Sequence, residues 1–139
     1  MECPRFALTR IYNYPDQRIL IHCSFGKDRT GLLFALLLSL AGVPDDTMAV
    51  DYCLSQSALE LHKPQFQRLP RVFKRDISEQ QATVLIDRIL TSRPDYILLA
   101  LRKTRHTYGG VYQYIREKCL MADDIIECIR ASLIQTKLE

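Results

Sequence analysis

Residues 18–41 constrain the fold of this chain more than any other segment. A short apolar run, Arg18 to His22, leads through the seven residues Cys23-Ser24-Phe25-Gly26-Lys27-Asp28-Arg29 into a nearly continuous apolar stretch after Thr30. The run carries two isoleucines and reads as a buried strand. The stretch from Thr30 to Ala41 is apolar on almost every side, so it reads as a buried helix, and Gly42 can stop it. A loop that wraps round and feeds a helix points consecutive backbone N–H groups at one centre. The helix N-terminus adds its partial positive charge there. The order of elements therefore makes a nest for an anion before any side chain is considered.

Cys23 and Arg29 stand in a Cys-x5-Arg spacing within that nest. A thiol held at its centre ionises more readily than a free one, and the thiolate is the nucleophile. The planar guanidinium of Arg29 matches two oxygens of a phosphate group. Cys23 would attack phosphorus to give a phosphocysteine intermediate, which water then releases. Thr30 can donate a hydroxyl hydrogen bond towards the sulfur, and His22 can orient the loop. Gly26 and Gly31 allow a tight turn and close helix packing. Ser24, Phe25, Gly26, Lys27 and Thr30 are the candidate substrate-binding residues. A structural cysteine with a surface arginine would leave His22, Gly26, Thr30 and Gly31 unexplained. A nucleotide-binding P-loop fails, because it needs glycine at 21 and Ser or Thr at 28, where Ile21 and Asp28 stand.

The segment HCSFGKDRTG resembles the signature HCxxGKDRTG of the atypical tyrosine-protein phosphatases, a family of bacterial tyrosine/lipid phosphatases with fungal relatives. The resemblance continues through GVPDDTMAVDYCLS, RPDYILLAL, YGGVYQYIREKCL and the closing DDIIECIRASLI, from about residue 5 to 135. It implies an α/β phosphatase domain, here mostly helical, with a single strand leading into the phosphate loop and the helices after it. It also implies that residues 1–139 are the C-terminal part of such a domain, because the strand-rich region that opens full-length members is not present. By resemblance, Cys23 is the nucleophile and Arg29 the phosphate clamp. A lysine beside the loop also occurs in phosphoinositide phosphatases, where it meets additional substrate phosphates; a solvated loop charge is the other reading of Lys27. The expected activity is cysteine-dependent hydrolysis of phosphotyrosine, with phosphoinositides as a second substrate class, and no metal or organic cofactor. A catalytically weak or inactive phosphate-binding relative is the alternative.

The leaving group needs a proton from a general acid. Asp16 is the one aspartate among the 22 residues before Cys23, and its place after Pro15 reads as a turn. Asp28 remains as an acid or a water-positioning group, or as a structural partner inside the loop.

The rest of the chain is predominantly helical in pattern. Helices are expected over Phe6–Tyr12, from Pro44 to about Ser55, and over Ala58–His62. Ser78 with Gln81 forms a capping-box pattern for a helix to Leu90, and Ser92 with Asp95 repeats it, with Pro94 at the first helical position. That helix should end near Thr107 at Gly109-Gly110. Val111–Cys119 and Asp123–Thr136 follow, the latter with Ile125, Ile129 and Leu133 on one stripe. Lys63 to Arg75 is basic and interrupted by Pro64 and Pro70, a solvated connector or a docking surface for an acidic lipid or phosphopeptide.

Composition sets outer limits. The chain has 139 residues, 47% hydrophobic, and a net charge of +3. One domain with a buried core is expected, and the mild positive charge suits an anionic substrate without arguing for nucleic acid. Five irregularly spaced cysteines suggest neither zinc nor a disulfide framework; Cys53, Cys119 and Cys128 read as buried free thiols. No signal peptide is evident, and no apolar run approaches the ~20 residues that span a bilayer. A cytoplasmic protein is expected, with a phosphotyrosine protein or a phosphoinositide at a membrane surface as its partner.

Overall fold

The apolar stretch after the cysteine loop forms helix α2, Asp28–Leu40, in a computed structural model that describes residues 4–61, 63–66 and 78–134. Asp28 lies in the first turn of α2, where an acid complements the helix dipole. The helix ends where Gly42 takes the left-handed conformation at φ +84° and its N–H donates to Ser39 O. Leu33, Ala35, Leu37 and Leu40 are buried. Phe34 is 40% exposed, so the helix is not covered on every side.

Among the described residues, five helices share a core with α2. Helix α1 (Arg5–Asn13) contributes Leu8, which has no exposed surface. Helix α3 (Asp45–Cys53) buries Met48, Ala49 and Tyr52. Two short helices follow, α4 (Ser55–Leu61) and α5 (Lys63–Phe66), and then α6 (Glu79–Leu90). Helix α7 (Pro94–Tyr108) starts with proline in its first turn and stops at Gly109, φ +82°. It packs along α3, and Arg105 pairs with Asp45 between them. Helices α8 (Val111–Lys118) and α9 (Asp123–Ile134) close the main core with Val111, Ile115, Ile126 and Ile129.

A second, smaller core lies apart from the first. Among the described residues it holds Leu59 on α4 with Ile86 and Leu90 on α6, and Phe25 of the cysteine loop packs against it. A Lys63–Asp87 ion pair at 2.5 Å ties α5 to α6.

Four expectations need correction. The strand at Arg18–His22 is not formed: the segment has no regular structure, and no strand occurs among the described residues. A strand exists only by pairing its backbone with a neighbour, and none lies beside it there. Leu20 is 88% exposed, while Ile21 alone of the run tucks against the main core. The Ser78–Gln81 capping box is present in full, but its apparent repeat is not. Arg93 stands at the cap of α7 with no side-chain capping bond, its guanidinium pairing with Asp95 instead, and Ser92 is buried with its hydroxyl 3.0 Å from that of Ser55. On α9 the buried positions are Ile126 and Ile129, with Leu133 exposed. Cys119 is buried as expected, but Cys53 is only half-buried and Cys128 is exposed. Of the basic stretch, residues 67–75 lie outside the described residues, as does the end of the last predicted helix at Thr136.

Candidate active site

The loop turns sharply at Gly26, whose φ of +61° suits glycine, with the Gly26 N–H donating to Cys23 O at 3.3 Å. This turn sets the Cys23 sulfur against the start of α2. Burial alone would push the thiol pKa up. Hydrogen bonds outweigh it: from the Thr30 hydroxyl and N–H, and from the N–H groups of Phe25 and Lys27. Together they bring the thiol from 9.0 down to about 6. Thr30 is the third residue of α2, so its N–H is one of the helix-end donors left without a partner inside the helix. Its hydroxyl oxygen is buried and has no partner of regular hydrogen-bond geometry, so the Cys23 sulfur is the group that draws on it. At neutral pH the thiol is therefore mostly thiolate, held in a nest of donors.

Arg29 is exposed, and its Nη2 donates to Ser24 Oγ at 2.9 Å across the loop. His22 Nδ1 lies 3.4 Å from Cys23 O. Both residues join Cys23 and Thr30 on the wall of a cavity of about 560 Å³. The rest of its lining is mostly apolar: Phe6 and Ala7 from α1, Leu32 and Leu36 from α2, Ala100 and Leu101 from α7, with Tyr114 from α8. The arrangement puts a thiolate and a cation on the wall of a mostly apolar cavity, a setting suited to an anionic group attached to a large apolar one.

Lys27 and Asp28 do not line that cavity. The Lys27 side chain is 2% exposed. Its Nζ donates to Ile89 O at 2.5 Å and Thr91 O at 2.8 Å, and lies 3.4 Å from Asp28 Oδ1. That same carboxylate oxygen accepts from the Tyr52 hydroxyl at 2.9 Å. Burial first, then the bond and the negative charge of Asp28, raise the Tyr52 pKa well above its ordinary 10.0. The Tyr52 ring lies against Gly31, where a Cβ would stand 2.6 Å from Cδ2. Tyr52 is the residue that motif reading passed over, although it sits in the DY pair of the downstream segment.

The sequence model of the tyrosine phosphatase family matches residues 5–135. The chain belongs to the tyrosine phosphatase family. It is similar to a protein named triple specificity protein phosphatase PtpB from Mycobacterium tuberculosis, with 30% identity over 104 residues, 71% of this chain and 38% of that protein. It is also similar to a tyrosine-protein phosphatase from Nostoc commune, with 47% identity over 59 residues, 41% of this chain and 20% of that protein. These matches thus span well under half the length of either relative. Within the family's matched region fall the whole cysteine loop, Tyr52 and the helices that line the cavity. No helix among the described residues is long and apolar enough to cross a membrane.

Proposed function

We propose that this chain carries the catalytic loop of a cysteine-dependent protein-tyrosine phosphatase, residues 1–139 being the C-terminal part of that domain. The observation that carries the reading is the Cys23 thiol, lowered to about 6 by the Thr30, Phe25 and Lys27 donors and opening with Arg29 onto one cavity. Cys23 Sγ attacks the phosphorus of the ester, the P–O bond to the leaving group breaks, the ester oxygen takes a proton from water, and a phosphocysteine forms. Water then attacks phosphorus, releases inorganic phosphate and returns the thiolate. The nest N–H groups and Arg29 hold the non-bridging oxygens as charge builds on them. Phosphotyrosine is the substrate class assigned, supported by the mostly apolar lining that an aromatic ring would favour; phosphoinositides are the second class. A reducing, cytoplasmic setting suits a free thiolate.

Asp28 takes a structural role in this reading, supported by its bonds to Tyr52 and Lys27. That leaves no carboxylate among the described residues that line the cavity. This observation favours a second reading, a phosphate-binding chain of weak turnover, because general acid catalysis contributes about 10²–10⁴-fold.

The deciding experiment compares hydrolysis of p-nitrophenyl phosphate, whose leaving group needs little protonation, with that of phosphotyrosine. Wild type and Cys23→Ser are assayed side by side. The first reading expects both substrates to be cleaved by wild type and neither by Cys23→Ser. Cleavage of the activated ester alone supports the second reading. Equal rates in wild type and Cys23→Ser would overturn both.

A further inference from the structure

Two residues inside the loop, Phe25 and Lys27, point N–H groups at the Cys23 sulfur. The same two residues send their side chains away from the cavity and into the α4–α6 unit. Phe25 packs against Leu59, Ile86 and Leu90. Lys27 reaches the end of α6, where its ammonium meets the carbonyls of Ile89 and Thr91, 62 and 64 residues further along the chain. Gly26 stands between them with open space around it, so the loop is fastened on either side of its turn. Lys27 also precedes α2 with an atypical backbone, φ −110° and ψ −83°, and no side-chain cap. Carbonyls at a helix C-terminus are left without partners inside the helix, and a lysine is well suited to satisfy them. A buried ammonium needs such partners in return.

We infer that Lys27 is a positioning residue: its buried ammonium ties the cysteine loop to the C-terminal end of α6 and, with Phe25, fixes the two loop N–H groups that face the nucleophile. The inference rests on the reading of Cys23 as the nucleophile. It removes Lys27 from the substrate-binding set, because its ammonium is spent on α6 and is not free to meet a second substrate phosphate. The charged and titratable groups around the two centres are Asp28 on α2 and Tyr52 on α3 beside the lysine, with His22 and Arg29 on the cavity wall beside the thiol. Lys27→Met removes the ammonium and keeps the length of the chain, leaving these groups in place.

The test reads Cys23 directly. Alkylation of wild type, Lys27→Met and Phe25→Ala by iodoacetamide is followed across pH by mass spectrometry of the Cys23 peptide, with circular dichroism to confirm folding. Each variant is expected to raise the midpoint by about one pH unit, which lowers the alkylation rate at pH 6 about fivefold. In parallel, kcat and KM are compared for an aryl phosphate and for an inositol trisphosphate. Lys27→Met should lower kcat for both and leave their KM ratio unchanged. An unchanged midpoint, with KM raised for the inositol phosphate alone, would overturn the inference and restore Lys27 as a substrate ligand. Should Lys27→Met not fold, Phe25→Ala decides by the same midpoint, and no shift there overturns the inference. Should the chain show no turnover, the alkylation midpoint still decides, so failure of the proposed activity is distinguishable from failure of the tether.

Discussion

The Tyr52 hydroxyl donates to Asp28 Oδ1 at 2.9 Å, and this bond helps set which way the Asp28 carboxylate of the cysteine loop faces. Held by Tyr52 and by Lys27, the negative charge of Asp28 is turned from the cavity that Cys23 and Arg29 share. A carboxylate swinging into that cavity would raise the thiol pKa and repel a phosphate.

Tyr52→Phe keeps the ring and removes only the donor. The expected loss is about 1 kcal/mol at pH 7, below the usual range for a bond to a charged group because Asp28 is exposed to solvent. Urea denaturation measures it. The pH dependence has a definite sign. The folded pKa of Tyr52 lies above its unfolded value of 10.0, so the stabilisation is full below pH 10 and declines as pH rises further. The gap between wild type and Tyr52→Phe should therefore narrow above pH 10.

Gly31→Ala sets a methyl 2.6 Å from the Tyr52 ring. Tyr52 is buried and cannot swing aside freely, so overpacking of about 1–3 kcal/mol is expected. The same substitution made in a Tyr52→Ala background should cost much less. Equal costs in the two backgrounds, by the same denaturation experiment, would show that the ring is not what excludes the methyl.

Thr30→Val tests the hydroxyl aimed at Cys23. Losing a donor to the thiolate should move the alkylation midpoint up from about 6, by about one unit. A linked effect on stability follows. The folded thiol pKa lies below its unfolded 9.0, so its stabilisation is complete above pH 9 and is lost as pH falls towards 6. Wild type should lose stability relative to Cys23→Ser over that window, and the loss should be smaller in Thr30→Val.

What the sequence disclosed and what it hid divide along the range of the interaction. The Ser78–Gln81 box closes within four residues, and the structure forms both of its bonds. Ser92 carries the same local pattern, yet its hydroxyl is taken by Ser55 from 37 residues away, and no local rule can see that competitor. The cysteine loop was legible because Cys23, Gly26, Arg29 and Thr30 act within eight residues of one another. The destination of Lys27 was not, because its partners are backbone carbonyls, which every residue carries and no motif marks. The strand expected at Arg18–His22 failed for a related reason: apolar composition records a wish for burial, but pairing depends on a neighbour elsewhere.

Among the described residues the smaller core has three buried members, Leu59, Ile86 and Leu90, with Phe25 resting on them. Units with so few buried apolar groups open at lower free energy than the whole molecule. The consequence is a separation between two temperatures. On heating, the Cys23 thiol should lose its reactivity when this smaller cluster melts, while α2 and the large core around it still hold their shape.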